Sequence, residues 1–139
     1  MPKSTEEIKN DMDKMNSIEE IIDYMNKELP KTSYGDRLYE LCIQHKMEVS
    51  TLQKTVEGLV SKSLFYAALN GTRNLSREKI IYVALALNAS IEETNELLKL
   101  AKHKELYPKI KEDAIVIFGL KNHKNMYDIY DLLEKAKGL

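Results

Sequence analysis

Tryptophan is absent from the sequence and only two phenylalanines are present, so whatever core forms must be mainly aliphatic. A single cysteine, Cys42, cannot close an internal disulfide, and nothing at the start of the chain resembles a charged-then-apolar export signal. The expected compartment is the cytoplasm. No apolar run approaches the roughly 18 residues needed to cross a bilayer, and no membrane span is expected. Gly-rich phosphate loops, Ser-His-Asp arrangements and paired catalytic carboxylates are all missing, so neither an enzyme nor a bound cofactor is expected. Three histidines do not amount to a metal site. Cys42 and His45 could share a helix face, but two ligands without partners are weak evidence, and Cys42 in "LYELCI" is better read as a small core residue.

What remains is an ordinary globular composition. The 139 residues are 43% apolar and 31% charged, without long polar tracts, which predicts one folded domain able to bury a core unaided. The net charge of −1 hides a segregation: residues 1–30 hold 4 Lys against 8 Asp and Glu, whereas residues 31–82 hold 8 Lys and Arg against 5 acids. A modestly positive middle is compatible with phosphate contact.

Helix starts are legible because small oxygen-bearing residues, which can accept orphan N–H bonds, recur before amphipathic runs. Ser17 with Glu20, Ser50 with Gln53 and Ser90 with Glu93 have capping-box spacing; Ser33, Ser61 and Ser76 are plainer N-caps. Pro30, Gly35, Gly58, Asn70-Gly71, Asn88, Gly119 and Asn122 punctuate the chain. The pattern predicts an all-α bundle with helices near 4–15, 17–29, 34–46, 50–58, 61–70, 76–88, 90–102, 107–119 and 125–137. "AIVIF" at 114–118 could be a short strand, but it follows Pro108 and the charged turn "KIKED", so it is assigned to a helix beginning near Pro108. Ile8, Met12, Met15, Ile22, Met25 and Leu29 form one apolar stripe, interrupted at Glu19 beside the Ser17 box. It suits either a dimerising coil or, preferably, two short helices packed on their own domain. The organisation is thus one domain over 1–139: an N-terminal helical extension at 1–30, a core at 34–102 and a C-terminal helical pair at 105–139.

From Ser50 to Ala101 the order is a short helix, a turn, "SKSLFYAALNG", a basic turn, "SREKIIYVALALNA" and "SIEETNELLKLA". This layout resembles the phage-repressor-like helix-turn-helix family, the Xre-like transcriptional regulators. More broadly, "LSREKIIYVALALNASIEETNELLKLA" and "ELYPKIKEDAIVIFGL" look like a group of bacterial helix-turn-helix regulators without an established biochemical role. The resemblance implies a five-helix core in which 34–46 is the first helix, 50–58 the second, 61–70 the reader, and 76–88 with 90–102 the closing pair. It departs from the family at Thr55 and Leu59, where a small Ala and a turn Gly are usual; Gly58 is one residue early. Either the turn is reshaped or the motif has decayed while its tertiary role survives.

Within 61–70, a helical projection puts Phe65, Ala68 and Leu69 on an inner face and Ser63, Ala67 and Asn70 on the outer one, with Lys62, Leu64 and Tyr66 on the flanks. By the resemblance, base contacts fall on Lys62, Ser63 and Ala67. Lys62 could donate to guanine and Ser63 could bond several bases, but Ala67 offers only a methyl contact to thymine. Ser61, as N-cap, would leave N–H groups facing a phosphate. Asn70 with Gly71 would end the helix, and Arg73, Arg77 and Lys79 follow as backbone contacts. The expectation is a transcriptional regulator that binds double-stranded DNA, acting as a homodimer because paired half-sites multiply specificity. The alternative is an adaptor that keeps the framework and binds protein, for which Leu64 and Tyr66 offer apolar surface.

Overall fold

The computed structural model describes residues 5–13, 17–20 and 33–138, excluding the side chains of residues 8, 11 and 12. The chain forms two compact units, Met1–Thr32 and Ser33–Leu139. In the first, α1 spans Thr5–Asp13 and residues 18–20 are helical, with Ser17 Oγ accepting the Glu20 N–H at 3.2 Å. Met15, Ile22, Met25 and Leu29 of the expected stripe, with the side chains of Ile8 and Met12, lie outside the described residues.

The second unit is an all-α bundle of α2 (Tyr34–Gln44), α3 (Val49–Val56), α4 (Lys62–Leu69), α5 (Arg77–Leu87), α6 (Ile91–Leu100), α7 (Lys111–Lys121) and α8 (Met126–Lys137). Among the described residues there is no strand, so "AIVIF" is helical, and no helix is long and apolar enough to cross a membrane. Both the 34–102 segment and the C-terminal pair belong to this unit.

Its centre is α5. "IIYVALAL" is apolar on every side, a pattern that suits a helix surrounded by others. Every residue from Ile80 to Leu85, and Leu87, is buried. Helices α3, α6, α7 and α8 all pack on it. Among the described residues, the largest fully buried side chain is that of Phe65.

Four N-caps lie where the hydroxyls of Ser33, Ser61, Ser76 and Ser90 predict them. Each serine oxygen accepts an N–H three residues on, at 3.0–3.3 Å. At Ser90 the box is complete, because Glu93 Oε1 accepts the Ser90 N–H at 2.9 Å. The Ser50 box is not formed. α3 begins two residues earlier than that box requires, with extended Glu48 as its N-cap, and Gln53 points into the core instead of back to Ser50. Gly35 and Gly119 lie within helices and do not stop them.

Five helix ends share one device. At α2, α4, α5, α6 and α7 a residue with positive φ lets two successive N–H groups bond the carbonyls left over in the last turn. Gly71 (φ 82°) and Asn88 (φ 60°) do this after α4 and α5, as Asn70-Gly71 and Asn88 suggest; after the other three the residue is Lys46, Lys102 or His123.

α7 starts at Lys111, not Pro108. Asp113, the third residue of α7, does not bond its own N-cap but accepts the Tyr107 N–H at 2.9 Å, holding Tyr107–Ile110 in a separate turn. Tyr107 itself is 51% exposed.

Candidate nucleic-acid interface

The surface expected to read DNA is carried by α4, whose orientation depends on how its other face is seated. Phe65 and Ala68 are buried and Leu69 is half-buried, matching the inner face of the helical projection. Helix α2 passes so close that a Cβ on Gly35 would lie 2.8 Å from the Leu69 carbonyl carbon and closer still to its oxygen. Only glycine permits that crossing, and the crossing fixes the C-terminal end of α4.

At the other end, Ser61 is extended and its hydroxyl accepts the Leu64 N–H at 3.2 Å. The N–H groups of Lys62 and Ser63 precede the first intrahelical bond, so their partial positive charge points outward. Ser61, Lys62, Ser63, Asn70 and Arg73 are exposed; Leu64, Tyr66 and Ala67 are half-buried. The basic turn folds back on the helix, since the Ala67 carbonyl accepts the Thr72 N–H at 2.9 Å, the Thr72 hydroxyl at 3.1 Å and the Arg73 N–H at 3.3 Å. Lys62 and Arg73 therefore bracket an eight-residue helix about 12 Å long. Lys79 is half-buried in the first turn of α5, where its N–H bonds the Ser76 hydroxyl at 3.3 Å.

Arg77 is placed elsewhere. Its Nε donates to the Lys104 carbonyl at 2.9 Å and its Nη2 to the Glu105 carbonyl at 3.1 Å, while Nη1 and Nη2 grip the Asp113 carboxylate at 3.0 and 2.8 Å. Four of its five N–H groups are used within the chain, so it is left out of the candidate interface. The Asp113 side chain is only 3% exposed. Burial pushes its carboxyl up, but the bonds from Arg77 and the Tyr107 N–H outweigh this and hold it below the ordinary aspartate range.

The turn between α3 and α4 packs against Tyr127 of α8. Tyr127 of α8 donates to the Thr55 carbonyl at 3.1 Å, and a Cβ on Gly58 would lie 2.8 Å from the Tyr127 hydroxyl oxygen. A side chain at position 58 would have to displace the Tyr127 hydroxyl. Thr55 turns its hydroxyl to the Thr51 carbonyl at 2.9 Å.

Residues that the sequence did not single out form a groove of about 580 Å³ beside α4, where Tyr39, Ile43, Met47 and Val49 meet Tyr66. Tyr39 is 55% and Ile43 63% exposed. Their one available signal was a second apolar pair, four residues apart, on the side of α2 away from Leu38, Leu41 and Cys42. Tyr66 also meets Phe65 edge-on, with ring centroids 5.3 Å apart.

His45, considered with Cys42 for a metal, instead lies 2.8 Å from Glu93, the capping glutamate of α6. Burial raises the Glu93 carboxyl, yet the Ser90 N–H and His45 together hold it below the usual value. Arg37 joins α2 to α6 by a 2.6 Å contact with Glu96 and also pairs with Glu40 at 3.0 Å. No protein-family model, curated protein or solved structure matches the chain.

Proposed function

We propose that the protein is a transcriptional regulator that binds double-stranded DNA with α4 against the major groove, as one half of a homodimer. The observation that carries this reading is the pairing of a buried, fixed inner face of α4 with an outer face bounded by exposed Lys62 and Ser63 at one end and Arg73 at the other. An α-helix, about 10–12 Å across with its side chains, fits the roughly 12 Å width of the major groove. Lys62 and Ser63 read base edges, Ala67 meets a thymine methyl, and Arg73 and Lys79 hold phosphates. Ser61 and Asn70 mark the two ends of this surface, and Tyr66 borders it. So short a reader contacts few base pairs, which is why two copies are needed.

The test is binding to random-sequence duplex DNA across a salt series, followed by selection of preferred sites. Arg73→Ala weakens all sequences alike and flattens the salt slope by about one unit, whereas Lys62→Ala changes site preference. Undetectable affinity at low salt refutes the reading; scattering mass tests the dimer.

One observation favours a second reading, an adaptor that binds protein. Tyr39 and Ile43 are exposed and share a groove with Tyr66, giving an apolar surface larger than scattered single side chains. Loss of DNA binding together with retention of a partner that is released by Ile43→Asp would replace the first reading with this one.

A further inference from the structure

A second cavity, of about 220 Å³, lies on another side of the bundle, where the start of α5, the start of α7 and the end of α8 converge. Its apolar wall is formed by Ile81, Val116 and Leu133, each no more than 5% exposed, and the other five lining residues, Arg77, Glu78, Glu112, Asp113 and Lys137, are charged. The charged groups around it mostly satisfy one another. Arg77 and Asp113 form the bidentate pair described above, and Lys137 lies 3.0 Å from Glu134 and 3.7 Å from Glu78. Glu78 also accepts the Tyr82 hydroxyl at 2.7 Å. One lining charge is left over: Glu112, half-buried in the first turn of α7, pairs with no cation among the described residues.

An apolar pocket with one unmatched carboxylate complements a molecule with an apolar body and one positive charge. Size narrows the class further. A dry apolar cavity of about 150 Å³ accepts benzene, so this one suits a single ring with a short substituent, and hardly more. We propose that this cavity binds a small monocationic amine, a ring or compact alkyl body carrying one ammonium group, with the body on Ile81, Val116 and Leu133 and the ammonium on Glu112. The site is independent of whether α4 reads DNA. It joins α5 to both C-terminal helices, so occupancy stabilises the three together.

The experiment titrates the full chain with 2-phenylethylamine, following backbone amide signals by NMR. The neutral, isosteric 2-phenylethanol and the anionic phenylacetate, of nearly the same size, serve as comparison probes. Expected are saturable shifts centred on residues 78, 81, 112 and 116 with a Kd of about 1 mM or tighter for the amine, and binding at least about tenfold weaker for the other two. Glu112→Gln removes that preference while leaving the unfolding midpoint unchanged, and Glu57→Gln, on the remote α3–α4 turn, leaves binding unchanged. Val116→Phe, which fills the cavity, abolishes binding by all three probes. The proposal is overturned if the amine gives no saturable shift, if the alcohol or the carboxylate binds as well, if the shifts lie elsewhere, or if Glu112→Gln keeps the preference.

Discussion

Replacing Arg77 with alanine separates a structural role from a DNA-binding one. In the native protein the guanidinium supplies two of the three hydrogen bonds to a carboxylate that is 3% exposed, and also satisfies the carbonyls of Lys104 and Glu105. Removing one partner of a buried pair costs roughly 3–5 kcal/mol. The Arg77 side chain is 31% exposed, so solvent screens the interaction and replaces part of what is lost. The expected loss is therefore about 2–3 kcal/mol, measured by urea denaturation at pH 7. Asp113→Ala should cost about 2 kcal/mol, and the double variant less than the sum, with a coupling of about 1–2 kcal/mol. The pH dependence has a definite sign. The Asp113 pKa is depressed in the folded state, so the pair's contribution is present above the unfolded value near 3.8 and is lost as pH falls through the lower folded value. The gap between wild type and Arg77→Ala should thus narrow in acid. A loss below about 0.5 kcal/mol at pH 7, the range of an ordinary surface pair, would refute the reasoning.

Gly35→Ala should destabilise by about 1–3 kcal/mol because the new methyl meets Leu69 backbone, which cannot swing aside like a side chain; a wild-type midpoint in denaturant would show that α2 and α4 are looser than described. Lys102→Gly should stabilise by up to about 1 kcal/mol, since φ is 64° there, and a loss of stability would mean that the lysine's charge or stem outweighs its strain. Ser90→Ala should cost about 1 kcal/mol, seen as a lower thermal midpoint, and no change would mean that the Glu93 bond alone caps α6. Because Glu93 titrates below its unfolded value, its contribution should be present above that value and disappear as pH falls through the lower folded one; acid-insensitive protection of α6 amides against hydrogen exchange would contradict this.

Starts were more legible than stops. A serine before an amphipathic run carries its own mechanism, and the hydroxyls of five serines, Ser17, Ser33, Ser61, Ser76 and Ser90, accept the N–H three residues on; Ser50 does not cap, because α3 begins at Val49 and Gln53 is buried. The ends near Lys46 and Lys102 were placed within two residues, but the positive φ at Lys46, Lys102 and His123 was not foreseen, because lysine and histidine carry no turn signal as plain as that of glycine or asparagine. The inner face of α4 was readable from periodicity, which records burial. The commitment of Arg77 to Asp113, 36 residues away, was not, since nothing local distinguishes an arginine aimed at a phosphate from one aimed at a carboxylate. Tyr39 and Ile43 were missed for a related reason: an amphipathic helix with an extra apolar pair reads the same whether that pair is covered or bare.

The burial of α5 on every side bears on modularity. Residues 34–102 hold the proposed reader, yet α7 and α8 also pack on their central helix. A fragment ending at residue 102 would bare the part of α5 that packs on them and strand Arg77 without its carboxylate, so it should be less stable than the whole unit. Whatever acts on the C-terminal helices acts on the same cooperative body that presents α4, without any linker in between.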